Sequence, residues 1–292
     1  MTIALSVKIN DGVVLATDSA STVMGPIAQA PGQPPGLGVI NVYDNANKAF
    51  NLLKGCPIGA VTWGGGGIGN ASTSSLVKDF RNLLRDGPAE YKLDRGNYTL
   101  EEVATKLRKF IYEDNYVAAF ANVPANQKPP LGFIVAGYGA TGGQRTKNAD
   151  EYGVVIDQGN CGPPNLLRKS EESGIFWAGM GESLNRLILG FGTQLPAVLQ
   201  QNLGVPVNQI PAAMQVIQQV LGAQLAISAM PLKDAIDLAE FLADTAVKFS
   251  KFSPGANVVG GPIEIAAISK HEGFKWVKRK FYFDRDLTPN EE

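Results

Sequence analysis

Two β-branched and apolar runs open the chain, Thr2-Ile3-Ala4-Leu5-Ser6-Val7-Lys8-Ile9 and Gly12-Val13-Val14-Leu15-Ala16-Thr17, joined by Asn10-Asp11-Gly12. Asn and Asp ahead of Gly suit the positive φ angles of a tight hairpin turn, and β-branched flanks favour extended backbone. The chain therefore begins as a β-hairpin. Asp18, at the end of the second strand, then lies next to the start of the first, beside Thr2 or a nearby lysine. A third strand-like run opens at Lys48 and covers 48–53, and a fourth covers 58–63 and ends in four glycines, 64–67.

Thr2 carries its own chemistry. Removal of Met1 would place a hydroxyl and a free α-amine on one residue, nucleophile and base together. An α-amine has an ordinary pKa of about 7.7–8.0, so a useful fraction is unprotonated at neutral pH and can take the hydroxyl proton. No histidine is needed for this. The chain has a single one, His271, between two strand-like runs, where it reads as an exposed turn residue.

The segments Thr2-Ile3-Ala4-Leu5-Ser6-Val7, Gly12-Val13-Val14-Leu15-Ala16-Thr17-Asp18-Ser19, Asn47-Lys48-Ala49-Phe50 and Ala60-Val61-Thr62-Trp63-Gly64 resemble proteasome β-subunits and the bacterial HslV peptidase, which are N-terminal-nucleophile hydrolases. The resemblance implies Thr2 as nucleophile, and Asp18 and Lys48 as the charged pair that tunes it. It implies the Gly64 N–H as donor to the oxyanion. These roles make physical sense: a nearby ammonium lowers the pKa of hydroxyl and amine, and glycine leaves the backbone open to approach.

The same resemblance implies a peptide or unfolded-protein substrate, bound as an added antiparallel strand against Ser21-Thr22 and Gly64-Gly65-Gly66, with a side-chain pocket beside Thr62 and Gly66. It implies a closed homo-oligomeric ring and names no particular unfoldase. The chain departs from the family pattern at Met180, where a serine is usual, and near the last helix, where Ser250 and Ser253 are the closest match to an aspartate and a serine. A threonine endopeptidase is the leading expectation. An N-terminal-nucleophile amidohydrolase acting on small amides and a catalytically inactive ring subunit are the alternatives.

With 292 residues, 45% of them hydrophobic, the chain can bury one large core, and nothing reads as a linker between domains. Two segments look inserted into a single domain spanning 1–292. Residues 25–38, rich in Pro and Gly, have a loop composition, and 190–231, rich in Gln and Leu, could add a helix. A net charge of −1 gives no basic footprint and argues against nucleic acid. Cys56 and Cys161 stand far apart, without metal or disulfide spacing, and read as reduced packing residues. No cofactor or metal is expected. No apolar run of about 18 residues and no secretory pattern is present, so a cytoplasmic protein without membrane contact is expected. Gly64-Gly65-Gly66-Gly67-Ile68-Gly69 matches a dinucleotide-binding turn, but the acidic residue that should follow on a second parallel strand is missing.

Periodicity supplies the remaining elements. Residues 70–73 can cap a helix carrying Leu76, Phe80, Leu83 and Leu84, and Thr99 with Glu102 forms a capping-box pattern. Strands are expected at 132–137, 152–157, 175–179, 263–268, 274–277 and 280–283. Helices are expected at 182–189, 211–226 and 232–249, the last with Ala235, Leu238, Phe241, Leu242 and Ala246 on one face. This order predicts an α+β fold, and the family resemblance makes it the four-layer αββα sandwich.

Overall fold

A computed structural model describes residues 2–27 and 36–281. Strands β1 (Ile3–Ile9), β2 (Gly12–Thr17), β3 (Ser21–Ile27), β4 (Gly36–Tyr43), β5 (Ala49–Asn51) and β6 (Ile58–Gly64) lead into helices α1 (Thr73–Asp86) and α2 (Leu100–Arg108). Strands β7 (Leu131–Gly137), β8 (Asp150–Asp157) and β9 (Gly174–Gly179) follow, then helices α3 (Leu195–Gln201), α4 (Ile210–Leu221) and α5 (Leu232–Phe252). Strands β10 (Glu264–Ser269) and β11 (Gly273–Lys278) end the described elements. The chain is thus a mixed helix and sheet protein whose main sheets are antiparallel.

The opening hairpin forms as its turn residues dictate, with Ile9 opposite Gly12 and Lys8 opposite Val13. It becomes the centre of a five-stranded sheet in the order β9-β1-β2-β10-β11. Both strands are buried along their whole length, which explains why they read as nearly continuous apolar runs. Side chains alternate between faces. Ile3, Leu5, Val7 and Ile9 pack with Ala235, Ala239, Leu242 and Ala243 of α5, where the alanines let helix and sheet approach closely. Ala4, Val13 and Leu15 instead meet Val61, Ile134 and Ala136 of a second sheet.

That second sheet runs from the short strand Asn160–Cys161 through β8, β7 and β6 to β5. Its far face carries Phe50, Ile58, Phe133 and Val135 against Leu76 and Phe80 of α1 and Val103 and Leu107 of α2. Both helices begin where the caps place them. Ser72 accepts a hydrogen bond from the Ser75 N–H, and Thr99 accepts one from the Glu102 N–H, each at 3.1 Å. Among the described residues, no helix is long and apolar enough to cross a membrane.

Five expectations need correction. Residues 25–27 and 36–38 are not loop: they lie in β3 and β4, which pair as an antiparallel ribbon, while 28–35 fall outside the described residues. The glycines there make room for neighbours, since a Cβ on Gly25 would lie 2.0 Å from Ile40 Cδ1 and one on Gly38 2.5 Å from Ile27 Cδ1. Pro26 is tolerated because each strand of a two-stranded ribbon has an open edge. This ribbon also makes the strand after Lys48 the fifth, and Lys48 precedes that strand instead of opening it. Phe241 is 52% exposed. The buried face of α5 is centred on Ala235, Ala239, Leu242 and Ala246, and Phe241 stands one residue, about 100°, off that line. Lys280 and Phe281 are not strand, and 282–283 lie outside the described residues. The helix expected at 182–189 is α-helical over Glu182–Leu184 and π-helical over Asn185–Leu189.

Candidate active site

Asp18 leaves β2 at full burial and gathers four donors. Its Oδ1 accepts from Lys48 Nζ at 2.7 Å and from the Ile3 N–H at 3.1 Å, and its Oδ2 accepts from Ala20 N at 3.1 Å and Gly260 N at 3.0 Å. Charge-assisted bonds to a buried carboxylate are about twice as strong as neutral ones, so this one side chain ties β1, the turn after β2, the segment before β5 and the approach to β10. Lys48 is 6% exposed. Burial pushes its ammonium below the ordinary lysine range, and the Asp18 carboxylate pulls it back up with smaller effect.

Thr2 is fixed through its backbone. Met180 N–H donates to the Thr2 carbonyl at 2.8 Å, and the next residue's N–H is held by Asp18. The clamp is tight because Ile3 pairs with Gly179, whose φ of +91° places it in the left-handed region and whose missing Cβ would lie 1.9 Å from Thr2 O. Gly179→Ala combines a strained φ with a backbone clash. It should destabilise the protein by about 3 kcal/mol and displace Thr2, as read by a denaturant midpoint. A change below about 0.5 kcal/mol would show that the β1–β9 edge relaxes freely.

Thr2, Lys48 and Gly64 line one cavity of about 340 Å³, which Ser21, Thr22, Thr62 and Gly66 also border. Asp18 stands behind Lys48 and does not reach it. The Thr62 N–H donates to Lys48 O at 2.9 Å. Strand alternation then turns the Gly64 N–H to the same edge, beyond the start of β5 and towards the cavity. The Thr62 hydroxyl is taken up by Gly132 O at 2.9 Å. The glycine segment is partly committed: Gly65 N–H donates to Pro130 O, Gly65 O accepts from the Thr73 hydroxyl, and Gly66 O accepts from Thr73 N. Ser250 and Ser253 are not among the residues lining this cavity. Ser250 is buried in α5, and Ser253 caps that helix by donating to Phe249 O.

Sequence reasoning missed a second buried ion pair beside the first. Lys280 Nζ lies 2.8 Å from Glu264 Oε2 and donates at 2.7 Å to both Ser19 Oγ and Ala46 O. Ser19 in turn donates to Pro262 O and binds Gly260 O through its N–H. Burial pushes Lys280 below the ordinary lysine range. Glu264 carried a signal, a carboxylate heading an apolar strand and paired with Thr17. Lys280 carried none. Among the described residues no group of three or more His, Cys, Asp or Glu is placed to hold a metal. Cys56 and Cys161 are buried free thiols, and burial pushes the Cys161 thiol up. His271 is exposed in a turn.

No protein-family model and no curated protein matches the chain. Among solved structures, the Anbu (Gly-1) mutant from Hyphomicrobium sp. strain MC1 is similar with a TM-score of 0.51 and 14% identity, covering 98% of this chain and 91% of that one. Anbu (ancestral beta-subunit) from Yersinia bercovieri scores 0.48 at 14% identity, with coverage of 96% and 88%. The Anbu complex of Pseudomonas aeruginosa, described as a helical assembly, scores 0.47 at 13% identity over the same shares. The assignment to proteasome β-subunits and HslV is therefore corrected, because the structural relatives are Anbu proteins. The motifs behind that assignment sit on the opening hairpin, the Asp18–Lys48 pair and the end of β6, a small part of the chain, whereas similarity across the chain is set by all the elements together. At 14% identity the likeness is one of fold.

Proposed function

We propose that the chain is an N-terminal-threonine amide hydrolase, a single domain of the four-layer αββα type with insertions near 25–38 and 190–231. The observation that carries this reading is the convergence of Thr2, Lys48 and Gly64 on one cavity, with Asp18 locking Lys48 from behind. Once everything before Thr2 is removed, its Oγ attacks the amide carbonyl carbon and its α-amine takes the hydroxyl proton. The Lys48 ammonium favours the deprotonated hydroxyl, and the Gly64 N–H meets the developing oxyanion, a donor type worth about 2.7–4 kcal/mol. Collapse of the tetrahedral species transfers the proton from the α-ammonium to the departing amine and leaves an ester on Thr2. Water, deprotonated by the same α-amine, then releases the acid.

Peptides are the proposed substrates, and a homo-oligomer is the proposed form. Val216, Val220 and Leu221 of α4 are 57%, 73% and 57% exposed, an apolar face that fits a contact between subunits. A small-amide substrate is the second reading. It is favoured by the bonds already made by Gly65 and Gly66, which leave little backbone there for a substrate strand. Comparing kcat/KM for an extended peptide and for its single-residue amide separates the two.

An electrophile directed at N-terminal nucleophiles should form one adduct, mapped by peptide mass spectrometry to Thr2 of the processed chain. Adduct on another residue, or active protein whose intact mass keeps Met1, would overturn the mechanism. The pH profile gives a further check. Activity rises as the Thr2 α-amine loses its proton and falls as Lys48 loses its own. Because burial lowers Lys48, the alkaline limb should lie below the ordinary lysine value of about 10.4. Lys48→Arg, always charged, should lower the rate and remove that limb. A limb that persists in Lys48→Arg would assign it to another group.

A further inference from the structure

A second cavity, of about 360 Å³, lies at the opposite end of the sheets. β10 begins at Glu264 beside Thr17 and ends at Ser269 beside Gly12, and the cavity is built on the turn that follows. Likewise β5 starts after Lys48 and ends at Asn51, which lines this second cavity. The six residues of β10 span roughly 17–20 Å between these two ends, and the three of β5 about 10 Å.

Its lining is strongly cationic. Lys54, Arg81, Arg145, Lys270, Lys275 and Arg279 face it, against the single carboxylate of Glu272, in a chain whose net charge is −1. So the absence of a basic footprint in the composition hid a local one. Arg145 is held ready: its Nη1 donates to the Tyr98 hydroxyl at 3.0 Å and its Nη2 to Gly55 O at 3.1 Å, which leaves other donors of the guanidinium over. Lys54, Lys270 and Lys275 make no ion pair among the described residues. Clustered like charges repel, so a cleft that keeps them together is stabilised by an anion. One wall is aromatic, with Phe274 and Trp276 edge to face at 5.2 Å. Asn51 borders the same cavity, and its amide can donate and accept hydrogen bonds.

We infer that this cleft binds an oligophosphate, either an inorganic chain or the phosphate arm of a nucleotide. Planar guanidinium and several ammonium groups together match closely spaced phosphate oxygens, while the aromatic wall and Asn51 suit an attached base. The site is independent of Thr2, so it stands whether or not the chain hydrolyses amides.

Calorimetric titration of the whole protein with tripolyphosphate, and separately with adenosine triphosphate, both without divalent cations, tests this. Saturable binding that weakens as salt rises is expected for both, with quenching of tryptophan fluorescence that Trp276→Phe removes. Lys54→Glu combined with Lys270→Glu should weaken both anions at least tenfold, and Lys251→Glu, on the exposed side of α5, should change neither. Tighter binding of the nucleotide, reduced by Trp276→Phe to the level of tripolyphosphate, identifies the nucleotide as the source. Equal binding of the two identifies the phosphate chain alone. The inference is overturned if neither anion binds at millimolar concentration, if the double charge reversal leaves affinity unchanged, or if a glutamate peptide binds more tightly than both.

Discussion

Thr2→Ala should abolish turnover of a peptide amide, by on the order of 10⁴-fold or more, while the protein keeps its fold. Removing the nucleophile from a covalent mechanism typically has an effect of this size, because the remaining groups act only through it. The fold should survive because Thr2 is positioned by its backbone: its carbonyl accepts from Met180 N–H, and the clamp continues through Ile3 N–H and Asp18. An alanine keeps every one of these bonds. Because Thr2 is buried, the stability read from the denaturant midpoint should fall by about 1 kcal/mol, the central value for a point substitution and too little to unfold the protein. Thr2→Ser keeps a hydroxyl and should retain measurable activity. Turnover unchanged in Thr2→Ala would mean that another group does the chemistry, and the proposed mechanism would fall.

Asp18→Ala should be the most destabilising single change in the site, by about 3–5 kcal/mol, the range for removing one partner of a buried ion pair. The loss has two parts. Lys48 would be left with its charge at 6% exposure, and the N–H groups of Ile3, Ala20 and Gly260 would lose their acceptor. Asp18→Asn keeps the shape but offers an amide with two donors of its own to a ring of donors, so it should recover only part of the loss. Lys48→Met in the Asp18→Asn background removes the stranded charge and should be less destabilising than the sum of the two single changes, as the coupling of a contacting pair requires. All three variants should be inactive. Asp18→Asn within 1 kcal/mol of the parent would show that Lys48 finds another partner, with Glu264 the nearest carboxylate of the second pair.

Much of the frame was legible because it rests on signals between near neighbours. Asn10-Asp11-Gly12 set the hairpin, and Thr99 with Glu102 set the start of α2. The placement of Asp18 followed by counting along the hairpin. Elsewhere local composition misled. Residues 25–27 and 36–38 looked like loop because Gly and Pro are rare in strands, yet here two isoleucines fill the space the glycines leave. Phe241 looked buried because helical spacing fits it almost as well as Leu242, and only the packing of α5 on β1 decided between them.

The sequence by itself determined the opening hairpin, the caps and most strands, since turn angles, alternation and capping act within a few residues, while the grouping of Thr2, Asp18, Lys48 and Gly64 as candidates came from the family resemblance of the segments that carry them. Only the tertiary structure decided what surrounds them. Lys280 reaches Ser19 across 261 positions, and the six cations of the second cavity come from four separate stretches of chain between Lys54 and Arg279. Contacts of this kind leave no periodic trace, because they depend on how the sheets and helices close around one another and not on the order of residues along any one of them.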